Sequence, residues 1–189
     1  IMVSDSRDAG EGEHKIFAYI RDNPEKHKDE TSLIDGLDAD LIMLGLNHLP
    51  ISKNLFLYRE TPEFIKSIDR TLEPNESYVL DLPVLAEAIT SRMNNYTTTN
   101  KKCQTHRLHD YIFLCFFLGN DFMPHFPSIN IRTHGVDTML TAYQNTIGNT
   151  NEILTDGKTI YWKNVSKLVS YLAETEETML KKEYKIRAK

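Results

Sequence analysis

The chain has 189 residues, of which 40% are hydrophobic and 26% charged, and its formal net charge at pH 7 is −5. This composition is typical of a globular domain with an apolar core, and it excludes a disordered or collagen-like chain. No apolar run approaches the roughly 18 residues that span a bilayer, so we expect no membrane partner.

The first half of the chain alternates predicted strands with predicted helices. The apolar opening at residues 1–4 predicts the end of a strand, and a loop rich in glycine and aspartate follows it up to Gly12. Residues 14–21 have the apolar period of a helix, which ends at Asn23-Pro24. The remaining predictions for this half are a strand at 31–36, a buried helix at 39–46, strands at 55–59 and 77–81, and a helix at 84–93.

The second half is predicted to be helical. Residues 94–105 have no apolar period and predict an exposed loop. Helices are predicted at 106–118, 135–146 and 165–185, with a turn at 155–158. Strands and helices followed by helices alone indicate an α/β fold, with a mostly parallel central sheet flanked by helices and a helical C-terminal region. We therefore interpret residues 1–189 as part of one domain, with a sheet portion at 1–93, an exposed loop at 94–105 and a helical portion at 106–189.

Two cysteines are too few for a disulfide framework, so we expect a reducing compartment. The cytoplasm is the predicted location, and the nucleus is the alternative. The chain starts without an initiator methionine and leads at once into its first motif. We therefore expect a fragment that begins inside a larger domain.

Three short acidic motifs follow one another along the chain. They are Gly-Glu-Gly-Glu-His-Lys at 10–15, Gly-Leu-Asp-Ala-Asp-Leu at 36–41 and Gly-Asn-Asp-Phe at 119–122. A buried cluster of carboxylates costs much free energy unless cations neutralise it, and hard oxygen ligands favour Mg²⁺ or Mn²⁺. We therefore predict a catalytic site for two ions about 4 Å apart that act on a phosphodiester. Its predicted ligands are Glu11, Glu13, Asp38, Asp40 and Asp121.

The two paired motifs have an alternative interpretation. Each pair is spaced by one residue, which places both side chains on one side of an extended backbone. Each pair also lies where a strand is predicted to give way to a helix, which is where α/β sheets gather functional residues. An acidic pair at a helix N-terminus could instead stabilise the helix dipole. Three such motifs in one chain favour the metal site.

Two further groups of residues are weaker signals. Cys103, His106 and His109 have a spacing that could hold zinc, but a fourth ligand is not evident and a surface helix is favoured. His109-Asp110 is similar to the dyad of metal phosphohydrolases, although its other ligands cannot be placed. Two basic groups could contact nucleic acid, and a solvated surface is the favoured interpretation of both. They are Lys101, Lys102 and Arg107 with Tyr96 nearby, and the basic run at 181–189.

Long stretches around the acidic motifs resemble the XRN family of 5′→3′ exoribonucleases. The matching stretches are Val-Ser-Asp-Ser at 3–6, Gly-Glu-Gly-Glu-His-Lys-Ile at 10–16, Gly-Leu-Asp-Ala-Asp-Leu-Ile-Met-Leu at 36–44 and Phe-Leu-Cys-Phe-Phe-Leu-Gly-Asn-Asp-Phe-Met-Pro-His at 113–125. Two shorter linking segments, at 57–60 and 80–85, are also similar. The resemblance covers most of the chain up to about residue 145 and is loose from 147 to 189.

The resemblance implies a PIN-like fold related to flap endonucleases. It also implies a processive enzyme that degrades RNA with a 5′-monophosphate, using the five acids listed above as metal ligands. The family uses further aspartates and a basic 5′-phosphate pocket, in a segment before its Gly-Glu-Gly-Glu motif. That segment is missing here, so we expect an incomplete catalytic domain with the upstream segment as its partner. The alternatives are a flap-type DNA nuclease and a catalytically silent nucleic-acid-binding module.

Overall fold

The computed structural model describes residues 2–59, 61, 66, 69–74, 76–95 and 101–188, without the side chains of Lys101, Lys102 and Arg187. The chain forms two compact units. We call Ile1–Ala86 the sheet unit and Glu87–Lys189 the helical unit. Within the described part of the chain, no helix is both long enough and apolar enough to cross a membrane.

The described residues of the sheet unit include three strands, three complete helices and the beginning of a further helix. Residues before Gly12 have no helix or strand in the described region. The elements are α1 (Gly12–Asp22), α2 (Pro24–His27), β1 (Thr31–Asp35), α3 (Asp40–His48), β2 (Asn54–Arg59), β3 (Tyr78–Asp81) and the start of α4 (Leu82–Met93).

The three strands lie in the order β1, β2, β3 and form a mixed sheet. β1 pairs in parallel with β2, with Ile34 opposite Leu57, and β2 pairs antiparallel with β3, with Leu57 opposite Leu80. The α/β class is confirmed, but a mostly parallel sheet is found only in part. A helix connects β1 to β2, as parallel neighbours require. The hydrophobic pattern of β3 does not indicate whether this strand runs parallel or antiparallel to β2.

The core of the sheet unit lies between one sheet face and helices α1 and α3. Apolar side chains of α1 and α3 are buried together with alternate side chains of β1 and β2, as the period-2 pattern of a strand requires. Gly45 allows close packing of α3, because a Cβ there would collide with Leu82 Cδ1. The buried residues are Phe17, Ile20, Ile34, Leu41, Leu46, Leu55 and Leu57.

The helical unit contains the rest of α4 and the later helices. They are α5 (Lys101–Phe116), a 3₁₀ turn (Ile131–Thr133), α6 (Gly135–Tyr143), a π-helical turn (Gln144–Gly148), α7 (Trp162–Ala173) and α8 (Glu176–Arg187). Its core is largely apolar, and the largest buried polar side chain among the described residues is Arg107. The largest buried apolar side chains are Met93, Leu114, Met139, Ile147, Leu154 and Leu168.

Arg107 lies at the centre of a buried polar network. Its guanidinium donates to Asn94 Oδ1 at 2.8 Å, to the hydroxyl of Tyr143, and to the carbonyl oxygens of Thr150 and Glu152 at 2.7 Å each. Its side chain is 2% exposed. Both interpretations of Arg107, as a solvated surface residue and as a contact for nucleic acid, are therefore wrong, because its donors are occupied inside the protein.

Three element predictions differ from the structure. Residues 2–4 form no strand, and α5 begins at Lys101, so the predicted loop does not extend to 105. The single helix predicted at 165–185 is two helices, because Thr175 leaves helical geometry with φ −113° and ψ 1° and precedes α8. The sequence contained a signal for this break, since Thr175 stands before two glutamates, a pattern typical of a helix start.

Candidate metal centre

The first acidic pair lies at the start of α1. Glu11 is the residue before the helix, with extended backbone angles of φ −74° and ψ 152°, and its carbonyl accepts the N–H of Lys15 at 3.1 Å. Its side chain makes no capping hydrogen bond, and Glu13 lies in the first helical turn. The two carboxylates therefore lie at the positive end of the α1 dipole, and the side chain of Glu11 does not cap the helix.

The second pair lies between β1 and α3. The N–H of Gly36 donates to the carbonyl of Tyr58 at 3.2 Å and extends the β1–β2 pairing past the last strand residue. Arg59, at the end of β2, donates to the carbonyl of Leu37 and fixes the loop that carries Asp38. Asp40 is the first residue of α3, and no side chain caps that helix.

Gly36 is required by the packing of this loop. A Cβ at this position would collide with Cδ1 of Leu41, which is buried in the core. The loop therefore runs closely over the start of α3. Asp38 lies in this loop, two residues before Asp40, which is the first residue of α3.

The two pairs converge in the sheet unit. Loss of solvent raises the pKa of Glu13, and the charge of Asp38 raises that pKa further. The charges of Asp40 and Glu11 act on Glu13 in the same direction. Two helix N-termini thus bring four carboxyl groups within electrostatic reach of one another.

These carboxylates are not buried, which corrects the premise from which the site was predicted. Glu11, Asp38 and Asp40 are exposed, and Glu13 is half-buried. The apolar residues beside them turn inward further along each helix, at Phe17 in α1 and at Leu41 and Leu46 in α3. The first turns of both helices therefore remain in solvent.

The donor chemistry of this acidic cluster fits a hard divalent cation. Every donor is a carboxylate oxygen, and the like charges repel one another without a counter-ion. In the described part of the chain, no three His, Cys, Asp or Glu side chains are placed closely enough to hold a metal ion. The cluster is therefore a convergent Glu13–Asp38 pair with Glu11 and Asp40 beside it, and metal binding would draw these side chains together.

One basic residue of the site was missed by sequence reasoning. Arg59 has the role of a positioning residue, since it holds the Leu37 carbonyl next to Asp38. The signal was the parallel pairing of β1 with β2, which places the ends of both strands at one edge of the sheet. A mostly parallel sheet was expected from the sequence, but the pairing of Asp35 with Tyr58 that brings Arg59 to this loop became known only from the fold.

Asp121 lies in the helical unit on a tight turn after α5. Gly119 has φ +84°, and Asn120 Oδ1 accepts the N–H groups of Phe122 and Met123 at 2.9 and 2.8 Å. This turn leaves Asp121 exposed. Its convergence with the acids of the sheet unit stays a prediction.

The weaker metal signals have structural explanations. Asp110 is buried and accepts the N–H groups of Leu154 and Thr155 at 2.8 Å each and the hydroxyl of Tyr143 at 2.5 Å. It is therefore a structural residue, and His109-Asp110 is not a metal-binding dyad.

Cys103, His106 and His109 are half-buried on α5 and belong to no metal-binding group among the described residues. Tyr96, Lys189 and the side chains of Lys101 and Lys102 lie outside the described residues.

Comparison with known proteins gives matches in both units. The XRN 5'-3' exonuclease N-terminus model matches residues 1–61, and the Xrn1 helical domain model matches residues 101–189. The 5'-3' exoribonuclease 2 of Candida albicans is 31% identical, with 97% of this chain and 21% of the relative covered. That of Eremothecium gossypii is 30% identical, with coverages of 97% and 22%. The 5'-3' exoribonuclease 2 homolog of Drosophila melanogaster is 30% identical, with coverages of 96% and 24%.

These matches agree with the architecture of an α/β segment followed along the chain by a helical segment. The chain belongs to the XRN family, and it matches the N-terminal region of that family. It spans about a fifth of the length of the curated relatives that it matches.

Proposed function

We propose that this chain forms part of the catalytic domain of a metal-dependent 5′→3′ exoribonuclease. The reaction is hydrolysis of phosphodiester bonds from the 5′-monophosphate end of RNA. The proposal rests on one observation. Glu13 in the first turn of α1 approaches Asp38 in the loop before α3, and Glu11 and Asp40 lie beside them. Membership of the XRN family supports the proposal.

The proposed ligands of Mg²⁺, or of Mn²⁺, are the four acids of the sheet unit together with Asp121. Two such ions activate a water molecule and stabilise the leaving oxygen when they are bound. The residues of the chain contribute position and charge. Glu13 and Asp38 are within electrostatic reach of each other, and Arg59 keeps the Asp38 loop in place through the Leu37 carbonyl.

We assign this activity to the whole protein and not to residues 1–189 alone, because the relatives are several times longer. The assignment of residues 1–189 to one nuclease domain, with a sheet portion followed by a helical portion, stays part of the proposal, but the loop predicted at 94–105 is not kept because α5 begins at Lys101. So does the cytoplasmic location, with the nucleus as the alternative. Cys103 and Cys115 form no disulfide bond in the described part of the chain, which supports a reducing compartment.

A nuclease assay with the whole protein tests the proposal. The substrate is single-stranded RNA with a 5′-monophosphate and a 3′ label, incubated with Mg²⁺. Wild-type protein should release mononucleotides from the 5′ end, and it should prefer a 5′-monophosphate to a 5′-hydroxyl. Asp38→Asn and Asp40→Asn should abolish release, whereas Asp29→Asn, at an exposed carboxylate outside the cluster, should leave it unchanged.

The same assay separates the two alternatives. Cleavage of a 5′-flap DNA in preference to RNA would identify a flap-type nuclease. RNA binding without cleavage of either substrate by the wild-type protein would identify a silent binding module. Normal cleavage by Asp38→Asn would remove the acidic cluster from the reaction.

A further inference from the structure

A tight turn between the π-helical turn and α7 has a fixed shape. Thr155 and Ile160 form an antiparallel bridge across it. The carboxylate of Asp156 accepts the N–H groups of Lys158 and Thr159 at 2.9 and 2.8 Å. The turn is therefore held from inside by its own hydrogen bonds.

The turn is also attached to the core of the helical unit. The N–H of Thr155 donates to the buried carboxylate of Asp110 at 2.8 Å, and the N–H of Tyr161 donates to the carbonyl of Leu154 at 2.8 Å. Gly157 has φ +88°, which favours glycine at the tip of the turn. The side chains presented by this turn are thus carried on a rigid base.

Three consecutive apolar or aromatic residues leave this turn towards solvent. Ile160 is 36% exposed, Tyr161 is 39% exposed and Trp162 is 69% exposed. Trp162 begins α7, whose Val165 and Leu168 are buried. A tryptophan ring is largely buried on average, so one that is mostly in solvent on a rigid base is a candidate contact surface.

Two lysines flank the exposed aromatic rings. Lys158 and Lys163 are exposed, and neither forms an ion pair with a residue that the structure describes. Lys167 on the same helix, in contrast, pairs with Glu152 at 2.6 Å. We call Lys158, Tyr161, Trp162 and Lys163 the aromatic–basic platform.

We propose that the aromatic–basic platform binds single-stranded RNA, with a base stacked on Trp162 and phosphates beside Lys158 and Lys163. Flat rings between cations match the alternating bases and phosphates of a single strand. An apolar protein partner would remove both ammonium groups from water without supplying a counter-charge. Several polyanions carry flat rings, and the proposed function is the reason for choosing RNA among them. The inference rests on the proposed function in this respect only.

Fluorescence measures this binding directly, because Trp162 is the only tryptophan in the chain. Residues 1–189 are titrated in EDTA with single-stranded RNA that carries a 5′-hydroxyl, so that cleavage plays no part. We expect saturable quenching of the tryptophan emission at low salt. With fluorescently labelled RNA, Trp162→Ala should bind about tenfold more weakly, within the range for loss of one base stack.

Charge reversal tests the two lysines. The double variant Lys158→Glu and Lys163→Glu should weaken binding, and the plot of log affinity against log salt should become less steep by about 0.7 for each lost phosphate contact. Lys53→Glu, at an exposed lysine of the sheet unit, is the matched control and should change neither the quenching nor the affinity for labelled RNA. Circular dichroism should show the same helix content in all variants.

Three results of the RNA titrations would overturn the inference, and one result on oligomeric state would do so as well. The three titration results are binding of labelled RNA without quenching of Trp162, equal weakening by Lys53→Glu, and no RNA binding by the wild-type chain at low salt. A concentration-dependent dimer that Trp162→Ala dissociates would assign the surface to a second copy of the chain instead. None of these results depends on cleavage, so the proposed nuclease activity can succeed or fail independently.

Discussion

The carboxyl groups of Glu13, in the first turn of α1, and of Asp38, in the loop before α3, lie within electrostatic reach of each other. In the absence of metal this contact brings like charges together, and it raises the pKa of Glu13 in addition to the effect of lost solvent. The contact between α1 and the β1–α3 loop is therefore held against electrostatic repulsion. Core packing further along both helices supplies the opposing free energy.

Removing one charge from this contact should stabilise the metal-free chain. We expect Asp38→Asn to raise the free energy of unfolding in EDTA by a few tenths of a kcal/mol, the range for exposed charge pairs. Asp29→Asn, outside the cluster, should leave it unchanged. Thermal melts followed by circular dichroism measure both. A lower melting temperature for Asp38→Asn would show that the carboxylate stabilises the fold without metal.

The buried network of Arg107 should be one of the most sensitive sites in the helical unit. Arg107→Ala leaves Asp110 as a buried charge without its cationic neighbour, which costs about 3–5 kcal/mol in comparable pairs. Tyr143→Phe removes a hydroxyl that donates to Asp110, at a cost of about 1–3 kcal/mol. Arg132→Ala, at an exposed arginine, should have little effect. Urea unfolding compares the three, and near-native stability of Arg107→Ala would show that the network contributes little.

Much of the sheet unit could be predicted from its hydrophobic pattern. The periods around Phe17 and Ile34 predicted α1 and β1 within two residues, and the strand-to-loop position of Asp38 followed from them. The buried network could not be predicted in this way. The partners of Arg107 lie at Asn94, at Tyr143 and in the segment around Thr150, and only the packed chain brings these distant groups together.

The candidate site was predicted in part for a reason that does not hold. Glu11 and Asp40 were expected in the interior because apolar runs stand next to them, yet both are exposed. A sequence shows which residues are neighbours in the chain, but the direction of a side chain at a helix start depends on how the helix packs. The approach of Glu13 to Asp38 required the fold.

Asp110 should make the helical unit less stable as the pH rises from acid to neutral. Burial raises the pKa of Asp110 to about 6 from 3.8, although its hydrogen bonds and Arg107 oppose the shift. The folded state therefore binds this proton more tightly than the unfolded chain does. The resulting stabilisation is complete below about pH 4 and is lost as the pH rises through 6.

Comparison with Asp110→Asn isolates this effect, because the amide does not titrate and its oxygen can still accept the N–H groups of Leu154 and Thr155. The stability of wild type relative to the variant should fall by about 2.4 kcal/mol between pH 4 and pH 7, which is most of the free energy of a shift of about two pKa units. Urea unfolding at several pH values provides the measurement. A relative stability that rises with pH would show that Arg107 and the hydrogen bonds keep Asp110 ionised.

The turn that presents Asp121 should depend on Gly119. At φ +84° an alanine is strained, and its Cβ would lie 2.8 Å from the backbone nitrogen of His125. We expect Gly119→Ala to destabilise the chain by more than the roughly 1 kcal/mol typical of a left-handed alanine. Gly12→Ala, where a Cβ meets nothing within 4 Å at the start of α1, should be neutral or slightly stabilising. Equal melting temperatures for both variants would contradict the strain argument.

Direct binding of Mn²⁺ to residues 1–189 tests the acidic cluster most directly. The loss of the free-ion signal in electron paramagnetic resonance counts the bound ions without any nuclease activity. We predict that wild type binds Mn²⁺ and that Asp38→Asn and Glu13→Gln each weaken this binding by at least about tenfold. Even the substitution of an outer-shell residue can weaken metal binding by this factor. Asp29→Asn should bind Mn²⁺ as wild type does. Equal Mn²⁺ binding by wild type, Asp38→Asn and Glu13→Gln would contradict the assignment of these carboxylates as metal ligands.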